Sequence, residues 1–522
     1  MRISYLPPLM VYLAAGVSGL TGIVGTFFVK EHLGLSAESL AALGFWAGIP
    51  WALKMGVGHL VDLVWKWKSF LVVFGAALIG ASLAIMVGLL GHAAFMTRYL
   101  HVETWFVWSV LLAPIGYVVQ DVVADAMTVE AVPAADESGR PYSHDAVKLM
   151  HTTMQTLGRV ATVGGGIVVS LANIFIFKGA SSLARDAKLA LYIDIYKMAL
   201  LIPVISVLGV IFAALLQRLR ARTLRRRGFS GDDVQQLFDV HGDTVKPNWW
   251  IIGGSLLFGL FTLAMGVARV PFNQETIFVG SMAVILFLMA KLVRELNPAA
   301  RRSLVGTAII IFVFRALPGP GVGSTWWQID ELGFDEHFLS TLSLIGGSLA
   351  LFGMFVFRRF MAEKSLAYVV GFLTVVGTLL SLPILGMYYG LHKWTAAMTG
   401  GVVDARFIAV VDTALESPLG QVAMIPMLAW IANSAPPNLK ATFFAVMASF
   451  TNLALSLSSL GTKYLNQVFT VTPAVLDPAT GTITLPAHYS DLGPLLVTVT
   501  VLGFLLPLMT IFLVQRSSLR AR

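Results

Sequence analysis

Two carboxylates, Asp121 and Asp125, lie in the sequence QDVVADAMTVE at positions 120–130, and apolar residues extend from them back to Trp105. These surroundings are typical of a membrane-spanning helix. A charged side chain at the centre of a bilayer costs about 3 kcal/mol or more, so it is retained mainly where it faces a polar cavity or a partner. Residues four positions apart share one helix face, so one cavity can contact both carboxylates. The pair predicts that the chain carries a solute across a membrane.

A different interpretation applies to the end of this stretch. Asp125 and Glu130 would then reach the membrane surface and pair with Lys66 or Lys68. Asp121 lies deeper in the predicted span, so it is the stronger candidate for binding or coupling.

A second pair of carboxylates, Asp412 and Glu416, also spans one helical turn and lies in the predicted span 405–432. At a helical rise of about 1.5 Å per residue, Glu416 falls near the middle of that span. Pro418 removes a backbone hydrogen bond and tends to kink the helix there. Interrupted helices often form transporter sites, so this pair is a second candidate. The alternative is a structural charge paired across helices.

Three cations fall inside apolar stretches: Arg159, Arg315 and Lys54. Buried carboxylates require cationic or proton partners. A guanidinium group binds a carboxylate through two parallel hydrogen bonds, so we expect Arg159 and Arg315 to contact the carboxylates of an anionic substrate. The alternative for each cation is a position near the membrane surface, with its charged end extended into water.

The composition excludes an ordinary soluble protein. Of 522 residues, 57% are hydrophobic and 12% are charged, whereas soluble domains contain roughly 25% charged residues. The chain has no cysteine, so disulfides, thiolate nucleophiles and cysteine metal sites are excluded. Its 10 histidines lack metal-ligand spacing, and neither a metalloprotease motif nor a nucleophile elbow occurs. We therefore expect neither an enzyme nor a bound cofactor.

Glycines recur at positions 16, 19, 22 and 25 and again at 164–166. Neither group has the strand, turn and helix setting of a phosphate-binding loop. Both groups predict close packing of helices.

Apolar stretches near the roughly 20 residues needed to cross a bilayer predict about fourteen spans. They lie at 9–28, 38–60, 70–91, 105–130, 148–176, 190–216, 249–268, 275–293, 303–318, 338–357, 366–388, 405–432, 441–468 and 493–515. Basic clusters fall in alternate loops and acidic residues in the others, which places both termini in the cytoplasm. Basic cytoplasmic loops also explain the net charge of +8 without a nucleic-acid partner. We expect a plasma membrane location, in a bacterium the inner membrane.

The polar, basic segment 217–248 divides the chain into a six-span half, 1–216, and an eight-span half. Two helical bundles joined by a basic loop resemble the architecture of the major facilitator superfamily. The expected fold is therefore an all-α membrane fold of two bundles.

A loop motif, GHLVDLVWKWK at 58–68, adds to this resemblance because its residues are spaced like the cytoplasmic loop signature of that superfamily. The arginine that usually follows the aspartate is Leu63 here. We expect a structural or gating role for the motif, in which a small residue permits close helix approach. The residues concerned are Gly58, Asp62, Lys66 and Lys68.

Several segments together resemble the folate-biopterin transporter family of that superfamily. They are GIPWALKMGVGHLVD (48–62), which contains Lys54, QDVVADAMTVE (120–130), ELGFDEHFLSTLSLIGGSLALFG (331–353) and LGQVAMIPMLAWIANSAPPNLKATFFAVMASFTNLALSLSS (419–459). The likeness covers most of both bundles. It implies transport of a pterin, a folate or a similar conjugated heterocycle. It also implies a carboxyl-terminal six-helix bundle at 301–522, with an inserted helix pair at 249–300.

We expect a monomeric secondary transporter in membrane lipids, with charges from both halves around a central site. Proton coupling would run through Asp121 or Glu416. A carboxylate in the site would accept the paired donors of a pterin ring. Trp326 and Trp327 either stack on such a ring or anchor a helix at the membrane surface. The alternatives are another cargo, such as a muropeptide, nucleotide conjugate or S-adenosylmethionine-like cation, or a non-transporting receptor or scaffold.

Overall fold

The computed structural model describes residues 3–64, 67–132, 142–226, 247–268, 270–294, 296–422, 424, 426–427, 430, 440–476 and 483–520. This part of the chain is predominantly helical, with a short antiparallel hairpin of strands β1 (Val475–Leu476) and β2 (Ile483–Leu485). Eleven helical segments among the described residues are long and apolar enough to cross a membrane. The predicted all-α integral membrane fold is confirmed.

Most helix boundaries lie within a few residues of the predicted spans, and side-chain caps fix several starts, as where Asp335 accepts the backbone N–H of Phe338 at 2.8 Å. The predicted span 190–216 instead forms two helices within 185–226. In the predicted span 405–432 the helix ends at Glu416, and part of 423–432 lies outside the described residues. The predicted spans 303–318 and 441–468 form helices although they lie outside those eleven segments. In chain order the helices are α1 (Leu6–Val17), α2 (Gly22–Phe28), α3 (Ala37–Ala52), α4 (Lys54–Leu63), α5 (Lys68–Gly91), α6 (Ala93–Met96), α7 (Val102–Ala131), α8 (His144–Ile176), α9 (Arg185–Ala199), α10 (Ile202–Arg226), α11 (Trp249–Val267), α12 (Asn273–Val293), α13 (Pro298–Arg315), α14 (Gly323–Leu332), α15 (Glu336–Val356), α16 (Arg358–Glu363), α17 (Leu366–Tyr388), α18 (Leu391–Met398), α19 (Ala405–Glu416), α20 (Lys440–Val468) and α21 (Leu492–Arg516).

Several of the predicted spans are interrupted along their length. A 3₁₀ segment, Ser18–Thr21, separates α1 from α2, and Leu53 separates α3 from α4. Helix α19 ends at Glu416, where the 3₁₀ turn Ser417–Leu419 contains Pro418. The interruption predicted at this proline is confirmed. Within a bilayer, such backbone is tolerated only where protein buries it or where it lines a water-filled cavity.

The chain forms two compact units. The first contains Met1–Thr21, Gly56–Val169 and Ala184–Ile252, and the second contains Gly22–Met55, Ser170–Leu183 and Gly253–Arg522. The boundary between the two units falls at the end of the 3₁₀ segment in the first span. The units therefore do not correspond to an amino-terminal and a carboxyl-terminal half of the sequence. The predicted domain boundaries at 216, 248 and 300 stay predictions.

In the first unit, α5 and α7 pack at glycine contacts. A Cβ atom added to Gly75 would lie 2.7 Å from the carbonyl oxygen of Gly116, so no larger residue fits without movement. A polar network lies beside this contact. The Gln120 side chain donates to the carbonyl oxygen of Val72 at 3.2 Å and accepts from the Ser206 hydroxyl at 3.0 Å. Close packing and interhelical hydrogen bonds replace the hydrophobic driving force that lipid does not supply.

In the second unit, α3 packs against α20. The side-chain amide of Asn452 donates to the carbonyl oxygen of Trp51 at 3.0 Å, and the backbone N–H of Met55 donates to the Ser449 hydroxyl at 3.2 Å. These contacts satisfy backbone groups beside the interruption at Leu53. The interruption is therefore supported by polar side chains of another helix.

Helix α12 contacts both of these helices. The Gln274 side chain donates to the carbonyl oxygen of Ala42 at 3.0 Å. Glu275 pairs with Lys463 at 3.0 Å and accepts the Tyr464 hydroxyl at 2.5 Å. Its apolar side chains join the core around α3 and α20. The helix is thus an integral part of the second unit.

Helices α1 and α8 approach each other at Gly16 and Gly165. A Cβ atom added to Gly165 would lie 2.9 Å from the Cα atom of Gly16 and 2.9 Å from the carbonyl oxygen of Leu13. The neighbouring Gly164 has open space at the same position. The predicted role in close helix packing is confirmed for Gly16 and Gly165, whereas Gly19, Gly22, Gly164 and Gly166 have open space at the Cβ position.

We predict that Gly165→Ala destabilises the protein by about 1–3 kcal/mol, because the added methyl group forces two backbones apart. Gly164→Ala is the matched control, since it makes the same chemical change one residue away without a clash. Thermal unfolding of purified protein in detergent measures the difference. Equal unfolding temperatures for the two variants would contradict the close contact.

Candidate substrate site

The first unit brings three predicted site residues together around one tyrosine. The hydroxyl of Tyr12 on α1 donates to Oδ1 of Asp125 on α7 at 2.5 Å. Asp121, one turn earlier on α7, and Arg159 on α8 also act electrostatically on this hydroxyl. Helices that are far apart in sequence thus place two carboxylates, one guanidinium group and one phenol in a single polar cluster. We call these residues the Tyr12 cluster.

Close helix packing determines where Tyr12 lies. A Cβ atom added to Gly158 would lie 2.9 Å from the Tyr12 ring, so only glycine leaves room for the ring at that point of α8. Gly158 immediately precedes Arg159, so the same turn of helix supplies both the space and the cation. Buried apolar residues, including Val11 and Ala124, surround the contact. The surrounding apolar packing strengthens electrostatic interactions within the Tyr12 cluster.

Arg159 is partly buried and makes no hydrogen bond or ion pair with the residues that the structure describes. A guanidinium group has five N–H donors. The Tyr12 cluster can therefore accept an anionic group at Arg159, while Asp121 and Asp125 supply acceptors for N–H donors.

In the second unit, Arg315 is the last residue of α13, and the glycine- and proline-rich stretch 316–322 separates it from α14. Its Nε donates to the carbonyl oxygen of Thr451 at 3.0 Å, and its Nη1 lies 3.9 Å from the sulfur of Met427. Among the described residues no carboxylate lies within ion-pair distance of it. A cation at a helix C-terminus is stabilised by the helix dipole, which helps to retain this charge.

Asp412 and Glu416 occupy neighbouring turns of α19 in the same unit. Asp412 is only 6% exposed, and its Oδ1 has no hydrogen-bond partner among the described residues. Glu416 is exposed at the end of α19 and acts electrostatically on Asp412. Two like charges one turn apart repel each other. The pair is therefore a place where a proton or a cationic donor group would be stabilised.

The comparisons with known proteins agree on the class of protein. The model of the BT1 family matches residues 15–520. The chain belongs to the BT1 family. A folate-biopterin transporter of Synechocystis sp. is 24% identical over 456 residues, covering 86% of this chain and 72% of that protein. Folate transporter 2 of Plasmodium falciparum is 26% identical over 169 residues, which is 30% of this chain and 33% of that protein.

Solved structures support the fold of this BT1 family member. A peptide transporter POT crystallised with sulfate has a TM-score of 0.60 at 12% identity, covering 98% of this chain and 94% of that chain. The nucleoside transporter NupG has a TM-score of 0.52 at 12% identity, covering 99% of this chain and 100% of that chain. The fold is of the major facilitator type, as predicted. The family and fold identify a multi-pass membrane transporter.

Two of the remaining predicted site residues of the BT1 family member, Lys54 and Lys68, lie at helix starts. Lys54 begins α4 immediately after the interruption at Leu53, and Lys68 begins α5. A Cβ atom added to Gly58 would lie 3.9 Å from a methyl group of Val122, which is ordinary contact and not the tight approach expected of the loop motif. Lys66 and the side chains of Asp62 and Glu130 lie outside the described residues.

One expectation about aromatic residues was wrong. Trp326 and Trp327 are 1% and 5% exposed, so neither serves as an anchor at the membrane surface or as an open stacking surface. The ring of Trp327 packs against that of Tyr388, with 5.6 Å between ring centroids. Both indoles belong to the packed interior of the second unit because α14 is covered on that side by other helices and loops.

Tyr12, which completes the first polar cluster, was not predicted from the sequence. A signal was available, because Tyr12 lies one turn before Gly16 at the start of the glycine series. The ion pair of Lys30 with Asp330 and that of Glu275 with Lys463 were not predicted either. These residues lie in loops or near the ends of predicted spans, where charges are common, so position alone did not distinguish them.

We predict that Tyr12→Phe and Asp125→Ala each reduce the free energy of unfolding, by about 1.5–3 kcal/mol for a hydrogen bond to a charged group. The double variant should lose less than the sum of the single changes, because both remove the same contact. Thermal unfolding in detergent measures all three. Tyr99→Phe is the control, since Tyr99 is 69% exposed. Additive losses would show that the two residues are not coupled.

Proposed function

We propose that this protein is a secondary transporter of folates, pterins or similar conjugated heterocycles. The observation that carries the proposal is the Tyr12 cluster, in which charges from α7 and α8 meet inside an apolar bundle of a transporter family member. Such charges are expensive in a bilayer and are retained where a polar solute binds. The names of the relatives from Synechocystis sp. and Plasmodium falciparum support this class of substrate.

The chemistry of the proposed substrate fits the side chains available. A pterin ring presents paired N–H donors, which the carboxylates of Asp121 and Asp125 can accept. A folate also has glutamate carboxylates, which suit a guanidinium group such as Arg159 or Arg315 because two parallel hydrogen bonds form. Asp412, Glu416 and Lys54 are further candidates for binding or coupling. No resident cofactor or metal is part of the proposal.

The proposed mechanism is alternating access, in which the substrate site opens to each side of the membrane in turn. Proton coupling would act through Asp121 or Glu416. Protonation removes a charge, and the two access states differ in how strongly they expose that charge, so a proton gradient shifts their populations. The protein would work as a monomer in the plasma membrane, in a bacterium the inner membrane, with both termini in the cytoplasm.

We predict that purified protein in lipid vesicles takes up labelled folate or biopterin, and that an imposed pH gradient increases the accumulation. The reason is that proton movement down its gradient supplies the free energy for uphill transport. Initial rates with and without the gradient provide the measurement, and empty vesicles provide the background. Accumulation that does not depend on the gradient would count against proton coupling while leaving the substrate class intact.

We further predict that Asp121→Asn, Arg159→Gln and Glu416→Gln each abolish uptake without preventing membrane insertion, because each removes a charge from the Tyr12 cluster or from the Asp412 and Glu416 pair. Asp194→Asn is the matched control, since Asp194 is 66% exposed and forms only a surface ion pair with Lys197. Uptake assays are normalised to the amount of inserted protein. Normal uptake by all three site variants would disprove the site assignment.

The other cargoes can be separated from folates by binding. A ligand at about 100 times its dissociation constant raises the free energy of unfolding by about 2.7 kcal/mol. A panel of pterins, folates, muropeptides and nucleotide conjugates therefore ranks candidates by thermal shift. Stabilisation by a muropeptide alone would replace the proposed substrate. A receptor or scaffold would show no flux with any of these compounds.

A further inference from the structure

An ion pair between a buried lysine and a more exposed aspartate lies at one end of the second unit. Lys30, in the helical turn Val29–Leu33, is 8% exposed, and its Nζ lies 2.5 Å from Oδ1 of Asp330 on α14, whose side chain is 25% exposed. The other carboxylate oxygen, Oδ2, accepts the hydroxyl of Tyr489 at 2.5 Å. The aspartate is therefore bound on both oxygens. Removing Asp330 would leave the buried Lys30 as an uncompensated charge, which is strongly unfavourable.

Residues 470–476 and 483–491 lie beside this ion pair, and Tyr489 belongs to the second of these stretches. The hydroxyl of Tyr388 donates to the carbonyl oxygen of Tyr489 at 2.9 Å, which fixes the backbone beside the phenol. Strand β1 of the hairpin contacts the turn that contains Lys30. Burial, and then the hydrogen bond to Asp330, raise the pKa of Tyr489, so its hydroxyl remains a donor at ordinary pH. The ion pair, strand β1 and Tyr489 thus form one connected arrangement.

The same contact joins distant parts of the sequence. Gly22–Met55 belongs to the predicted amino-terminal half, yet it forms one compact unit with Gly253–Arg522. The 3₁₀ segment Ser18–Thr21 interrupts the first span immediately before Gly22. Short 3₁₀ stretches inside longer helices often mark hinges. The segment Ser18–Thr21 is therefore a candidate hinge within the first span.

We propose that Lys30, Asp330 and Tyr489 form a latch that holds this end of the second unit closed, and that the latch must separate for a substrate path to open there. The inference rests on the proposed alternating-access function. It assigns to the ion pair a conformational role and not a role in substrate binding. The latch stabilises the closed state, so its removal shifts the population toward an open state.

The chain contains no cysteine, so a single introduced cysteine reports opening without further engineering. Val29 is 7% exposed beside Lys30, and Val471 is 2% exposed against α14. We would place a cysteine at either position and measure its labelling rate by a maleimide in detergent, where membrane sidedness does not matter. In the presence of Asp330→Asn, we expect the labelling rate to rise at least about tenfold, because the buried charge of Lys30 is left unpaired. Lys30→Met removes the same ion pair and should also raise the labelling rate. Tyr489→Phe should give a smaller increase.

Two controls separate latch opening from general loosening. Lys463→Met breaks a partly buried ion pair in the same unit, with Glu275, without touching this end, and should leave the labelling rate unchanged. Lys30→Arg keeps the positive charge, so the labelling rate should remain slow in that variant. Unchanged labelling at both cysteines in Lys30→Met and Asp330→Asn would overturn the latch. An equal increase in Lys463→Met would overturn it as well.

The same proteins distinguish this inference from the proposed function. Faster labelling in the latch variants, together with no folate or pterin uptake by the unaltered protein, would retain the latch and reject the substrate class. Normal uptake by the unaltered protein, together with unchanged labelling in the latch variants, would retain the substrate class and reject the latch.

Discussion

Inside hydrocarbon there is no water to satisfy a backbone amide or a charge, and this constraint explains where the polar groups of the protein lie. At the interruption between α3 and α4, partners come from a neighbouring helix, because Asn452 binds the free carbonyl of Trp51. Charged side chains occur in groups, as in the Tyr12 cluster. Arg315 and Asp412 differ, because among the described residues Arg315 has no carboxylate partner and Oδ1 of Asp412 accepts no hydrogen bond. Under the proposed function, a transported solute would use this capacity.

The charges of the two candidate regions, one in each unit, are positioned in different ways. In the first unit, glycines let α1 and α8 approach until the Tyr12 ring lies against the backbone of Gly158. Continuous helices then carry the polar groups. In the second unit, Arg315 and Glu416 each end a helix, so the backbone itself changes direction beside the charge. Continuous and interrupted helices therefore coexist in one transporter, as in other transporter folds with discontinuous helices.

Much of the fold was predictable because a membrane imposes a simple rule on sequence. Span lengths, the polar loops and the interruption at Pro418 follow from hydropathy and from proline chemistry. The partners of each charge were not predictable, because hydropathy gives positions along a helix and not which helices are neighbours. Tyr12 pairs with a residue 113 positions away, and Lys30 pairs with Asp330. The burial of Trp326 was missed for the same reason, since tryptophan near a span end resembles an interfacial residue.

Helix α12 has a mechanical consequence for the second unit. One of its residues, Gln274, holds the backbone of α3, and the next residue, Glu275, holds the side chain of Lys463 on α20. Those two helices come from opposite ends of the sequence, and α12 contacts both of them. The two attachments hold α3, α12 and α20 together as one body. A movement of the second unit that leaves these attachments intact therefore carries all three helices together.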